Sequence, residues 1–156
     1  MSPSQLPIDH PFADFGVRLA DLAAAQTLPR FRTRLSVDDK ALAAAPHAHA
    51  ASPAAPDRAE ARFDPVTVAD RDAEAAMRAA IIAAFPEHGI HGEEHGVHNA
   101  EAGTVWVLDP VDGTRAFVCG APTWGTLIGL TENGRAALTD VGLVHDAERG
   151  APVFCE

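Results

Sequence analysis

Residues 106–117 read Trp106-Val107-Leu108-Asp109-Pro110-Val111-Asp112-Gly113-Thr114-Arg115-Ala116-Phe117, and the rest of the chain is organised around them. Val105 to Leu108 is an apolar, β-rich run that Pro110 is expected to stop, with two carboxylates, a glycine and a hydroxyl gathered where the strand should end. Asp109 and Asp112 stand on either side of a Pro-Val step, and the turn expected at Pro110 brings them round to one side. Two carboxylates converging in this way suit a hard cation, Mg²⁺ first among them.

Immediately upstream, Gly89-Ile90-His91-Gly92-Glu93-Glu94-His95-Gly96 is too rich in glycine for a stable helix. It reads as a short extended piece that delivers Glu93 and Glu94 at its end, again beside a cation, because ionised carboxylates next to an apolar approach are costly unless paired. His88, His91, His95 and His98 have a spacing that would suit zinc on a helix, but the glycines deny that helix and carboxylates dominate the neighbourhood. Before this lies Asp64-Pro65-Val66-Thr67, where Thr67 and Asp70 form a capping-box pattern with Asp in place of the usual Glu or Gln. The helix that follows has a core face of Ala73, Met77, Ala80, Ile81, Ala84 and Phe85, and ends at Pro86 and Gly89.

Further out the signals are coarser. Phe12, Phe15, Leu19, Leu22 and Ala23 give Asp9 to Gln26 the stripe of an amphipathic helix, ended by Pro29. Phe31 to Asp38 alternates as a strand would. Residues 41–62 are Ala-, Pro- and His-rich without an apolar stripe and read as a flexible insertion, in which His47 and His49 are solvent-exposed filler. Downstream, Thr123 to Thr131 reads as a strand, Glu132-Asn133-Gly134-Arg135 as a hairpin turn, and Ala137 to Val144 as the returning partner. Ala151 to Glu156 looks like the opening of another strand.

Composition bounds the class. The chain has 156 residues, 47% of them hydrophobic and 22% charged, enough for one domain with a real core. Its 12 basic and 22 acidic residues give a net charge of −10, and the arginines are scattered, which argues against a nucleic-acid partner. Cys119 and Cys155 lie far apart, as core fillers in a reducing compartment do. Neither a signal peptide nor a membrane-spanning run is apparent, so the expectation is a soluble, cytoplasmic protein.

Taken together, Asp64-Pro65-Val66-Thr67-Val68-Ala69-Asp70, Gly92-Glu93-Glu94 and Asp109 through Phe117 resemble the three ordered motifs of the inositol monophosphatase family of Mg²⁺-dependent phosphatases. Residues 69–74, 112–117 and 123–129 are more similar to its bacterial histidinol-phosphatase branch than to its inositol branch. The resemblance implies that Glu93, Asp109 and the carbonyl of Val111 hold a first Mg²⁺, and that Asp109 bridges to a second, bound also by Asp112. Asp70 and Thr114 would orient and help deprotonate the attacking water, and the amides of Gly113 and Thr114 would grip phosphate oxygens. Glu94 would support the loop, and Lys40 stands where the family has a lysine, though farther from the Pro-Val-Thr segment than usual. A homodimer acting on a small phosphorylated metabolite is the family expectation.

The family also has a later Trp-Asp pair whose aspartate completes the second metal site. Trp106 and Trp124 are followed by Val and Gly, so neither supplies it. The resemblance covers nearly all of this chain but only the N-terminal part of the family's fold. If the chain is complete, weak or absent turnover is expected, and with it an uncovered sheet edge. The reading is therefore one N-terminal phosphatase domain over 1–156: a layered α+β sandwich with two helices packed on a mostly antiparallel sheet. Its reaction would be hydrolysis of a phosphomonoester, histidinol phosphate first. The alternatives are inositol 1-phosphate as substrate, or a truncated metal-binding fragment without turnover. A haloacid-dehalogenase-type site needs its aspartates two apart, not three, and no serine sits in a nucleophile elbow.

Overall fold

A computed structural model describes residues 11–39, 65–138, 142–145 and 152–155. The expected insertion at 41–62, Lys40, His47, His49 and the proposed helix start at Asp9 lie outside the described residues.

The centre is a sheet ordered β4-β3-β5-β6-β7, made of β3 (Gly89–Gly92), β4 (Gly96–His98), β5 (Thr104–Asp112), β6 (Gly125–Glu132) and β7 (Arg135–Leu138). Only β3 and β5 run parallel; the other neighbours are antiparallel, as the α+β expectation requires. Ile90, Trp106 and Leu130 face one another across three strands, and Leu108 pairs with Ile128. These side chains form the sheet half of the core. The helical half comes from α1 (Ala13–Thr27), through Leu19, Ala20 and Ala23, and from α2 (Val68–Ala84), through Ala73, Met77 and Ile81. Alanine where the helices meet lets them approach closely, and each large apolar side chain so buried contributes about 1.5–3 kcal/mol.

The α1 stripe differs from the expected one in a single respect. Leu22 is 38% exposed, while Gly16, Ala20, Ala24 and Thr27 are buried, so the core face is rotated towards the smaller residues. The Phe31 to Asp38 segment is also not one strand. Phe31 and Leu35 pack into a second cluster with Val111, Phe117 and Trp124, and only β1 (Val37–Asp39) is extended, pairing with β2 (Pro65–Thr67). Burial against aromatic side chains wins over alternation here.

The capping box forms as read. The Thr67 hydroxyl accepts from the Ala69 N–H at 3.1 Å, and the Asp70 carboxylate accepts from the Thr67 N–H at 2.9 Å. The Asn-Gly hairpin forms as well, with φ of 51° at Asn133 and 74° at Gly134, the doubly left-handed turn that matches strand twist. Its return strand is shorter than expected. After Leu138, the next described segment, β8 (Gly142–His145), pairs instead with β9 (Pro152–Cys155) in a separate two-stranded sheet. None of the described helices is long and apolar enough to cross a membrane.

Candidate metal and phosphate site

Pro110 does not end β5. The strand continues to Asp112, and the ladder with β6 skips between the Asp109–Leu127 and Asp112–Gly125 pairs. A proline is tolerated because β3 pairing has already stopped at Leu108, so its missing N–H deprives no ladder partner on that side, and the irregularity takes up its ring. Its carbonyl is held by the Thr126 hydroxyl at 2.8 Å. The irregularity buries Pro110 and Val111 in succession, which breaks the alternation. In a regular strand, residues three apart face opposite ways; the slip lets Asp109 and Asp112 share a side.

Glu93 arrives by the parallel pairing. Gly92 lies beside Leu108, and the Glu93 N–H donates to the Leu108 carbonyl at 3.2 Å, which sets the Glu93 side chain against Asp109. The consequence is electrostatic. Burial, then a hydrogen bond and the charge of Glu93, then the charge of Asp112, push the Asp109 carboxyl from 3.8 up to about 8. Asp109 Oδ1 is buried and has no hydrogen-bond partner.

The third component enters from α2 and from α3 (Thr114–Cys119). The Thr114 hydroxyl lies 3.0 Å from the Val111 carbonyl and 3.3 Å from Asp70 Oδ1, so its one proton can serve either acceptor. Asp70 is 2% exposed, and burial raises its pKa against the lowering effect of its bonds from Thr67 and Thr114. Gly113, at φ 84°, turns the chain between β5 and α3, and a Cβ there would come within 2.9 Å of the Thr123 carbonyl. Only glycine suits that junction.

Among the described residues, no three His, Cys, Asp or Glu side chains are gathered tightly enough to hold an ion as they stand. What the chain does offer is an all-oxygen set: Asp109 with its orphaned Oδ1, Glu93 against it, Asp112 close enough to act on it, and the Val111 carbonyl. Crowded carboxylates of this kind repel one another unless a proton or cation intervenes, and the donor chemistry fits a hard divalent cation.

Two of the four histidines have other partners. Buried His88 accepts the Trp106 indole N–H at Nδ1 over 3.1 Å and stacks on Phe85, whereas His95 places Nε2 3.0 Å from the Arg71 carbonyl. One residue with a clear structural part was missed as a site residue. Glu74 is fully buried on α2, and its carboxylate accepts from the N–H groups of Glu94 and His95. The available signal was a carboxylate on the apolar stripe of a helix, one turn after Asp70.

A model of the inositol monophosphatase family matches residues 9–150. The chain is 42% identical over 95 residues to a histidinol-phosphatase of Chlorobaculum parvum, covering 58% of this chain and 37% of that protein. It is 37% identical over 142 residues to the chloroplastic bifunctional phosphatase IMPL2 of Arabidopsis thaliana, covering 88% of this chain and 35% of that protein. Among solved structures, an inositol monophosphatase from Zymomonas mobilis is 38% identical with a TM-score of 0.53, over 81% of this chain and 42% of the other. The chain thus spans little more than a third of the length of these curated relatives.

Proposed function

The chain belongs to the inositol monophosphatase family, and from that premise we propose that it carries the metal and phosphate half of a Mg²⁺-dependent phosphomonoester hydrolase. The observation that carries the reading is the buried, partnerless Asp109 Oδ1 with Glu93 and Asp112 crowding it at one end of β5. Glu93, Asp109 and the Val111 carbonyl would hold one ion, and Asp109 with Asp112 a second. An ion held there would supply charge neutralisation for a phosphate dianion and would lower the pKa of a bound water. The chain's own part is positional. Asp70, fixed by its bonds to Thr67, orients the Thr114 hydroxyl, and that hydroxyl in turn would accept from and aim the attacking water. The amides of Gly113 and Thr114, at the left-handed turn that starts α3, would hold phosphate oxygens.

Histidinol phosphate is the favoured substrate, with inositol 1-phosphate next. Identity to a protein named histidinol-phosphatase, at 42%, supports that order. The cytoplasm and a homodimer remain part of the reading. The test is phosphate release from histidinol phosphate and inositol 1-phosphate in parallel, with and without Mg²⁺. Weak Mg²⁺-dependent release from histidinol phosphate is expected, lost in Thr114→Val, which removes the orienting hydroxyl at nearly constant volume. Mg²⁺-binding protein that releases phosphate from neither substrate would overturn the hydrolase in favour of a metal-binding fragment.

A further inference from the structure

The turn that carries Glu93 is held to α2 by a row of polar contacts. Arg71, Glu74 and Arg78 lie on one side of the helix, at helical spacings of three and four. The Arg71 carbonyl meets His95 Nε2 at 3.0 Å, and Arg78 donates to the Gly96 carbonyl at 2.8 Å. Between them, the Glu74 carboxylate accepts from the Glu94 N–H at 2.6 Å, from the His95 N–H at 3.0 Å and from Arg78 at 3.3 Å. It has no exposed surface. A buried carboxylate with three donors has both oxygens hydrogen-bonded, so its place is set by the turn it holds.

Gly92 makes the fit tight. A Cβ at that position would overlap the Glu74 carboxyl group, so glycine is what lets the carboxylate reach the two amides that follow Glu93. On the other side of the turn, the Glu93 N–H is bound to the Leu108 carbonyl. Glu93 is therefore anchored to β5 through its own amide and to α2 through the next two.

We propose that Glu74 is a positioning residue: its buried carboxylate, by clamping the Glu94 and His95 amides, presets the Glu93 side chain beside Asp109 before any cation binds. This rests on the metal-site reading above. The clamp lowers the ordering cost of binding, so its loss weakens Mg²⁺ affinity, raises the Mg²⁺ concentration needed for activity and leaves the substrate KM at saturating Mg²⁺ unchanged.

The test is Mg²⁺ titration calorimetry on the full chain, wild type against Glu74→Gln, without substrate, together with amide exchange in chelator. Gln keeps one acceptor but turns an NH₂ towards the second amide. The expected result is Mg²⁺ binding about 10–100-fold weaker in Glu74→Gln, with the Glu94 and His95 amides slow to exchange in metal-free wild type and fast in the variant. Gly92→Ala, which displaces the carboxylate without removing it, should weaken binding similarly, and the two changes together should cost little more than either. A folded Glu74→Gln with wild-type Mg²⁺ affinity overturns the proposal. If wild type itself binds no Mg²⁺, the hydrolase reading fails, and the exchange data still decide whether the clamp exists. If Glu74→Gln does not fold, rapid exchange of the two amides in metal-free wild type overturns it.

Discussion

Asp109→Asn should make the metal-free protein more stable at pH 8 and, in the same stroke, remove its response to Mg²⁺. In the folded chain the Asp109 carboxyl keeps its proton to about pH 8, against 3.8 for an ordinary aspartate. Between those limits the folded state holds more protons than the unfolded one, so stability falls as pH rises from about 4 to about 8. At about 1.4 kcal/mol per pH unit the whole displacement sets a ceiling of roughly 6 kcal/mol. Asp109 shares its proton with Glu93, and asparagine brings an NH₂ that must find its own acceptor, which brings the expected gain to about 1–3 kcal/mol at pH 8. For a chain of this size that is roughly 3–10 °C in Tm, shrinking to about a third of that at pH 5 and towards zero only below about pH 4, where the unfolded aspartate is neutral as well. The assay is thermal unfolding of both proteins in chelator at pH 5 and pH 8, repeated with Mg²⁺. Wild type should gain more from Mg²⁺ at pH 8, because protons compete with the ion at lower pH. Equal destabilisation of Asp109→Asn at both pH values, or an undiminished Mg²⁺ shift, would refute the crowding argument.

Two further outcomes follow from the packing. Gly113→Ala must place a side chain at φ 84° with its Cβ 2.9 Å from the Thr123 carbonyl, and should lose at least about 1–2 kcal/mol in urea unfolding; a neutral result would mean that the junction relaxes. Trp106→Phe strips the donor from buried His88 and leaves a gap in the main core, so a loss of about 2–4 kcal/mol is expected, with an unchanged m-value.

Much of this was legible because the signals were local. The Thr67–Asp70 cap, the Asn133-Gly134 turn and the glycine-broken approach to Glu93 each depend on a few adjacent residues, and each formed as read. Where neighbours in space decide, the sequence misled. Pro110 looks like a strand terminator, but whether a proline ends a strand depends on which partner needs its N–H, and β3 has already stopped at Leu108. Leu22 matches the apolar period of α1, yet the helix settles with its alanines inwards because a thin face lets α2 approach. Glu74 escaped notice as a site residue for the same reason. Its value comes from two amides some twenty residues away, and nothing beside it in the chain announces them.

The parallel pairing of β3 with β5 has a meaning for folding as well as for chemistry. Gly92 sits opposite Leu108 and Ile90 opposite Trp106, so Glu93 and Asp109 leave the ladder together at one end. A slip of one residue would turn Ile90 out of the core and separate the two carboxylates by turning one of them to the other face. At the proposed site, ion binding would therefore read strand alignment directly: a chain with native-like helix and sheet content but a shifted ladder would be silent to Mg²⁺. Titration with the ion during refolding would count correctly aligned molecules, a population that spectroscopic measures of secondary structure cannot separate.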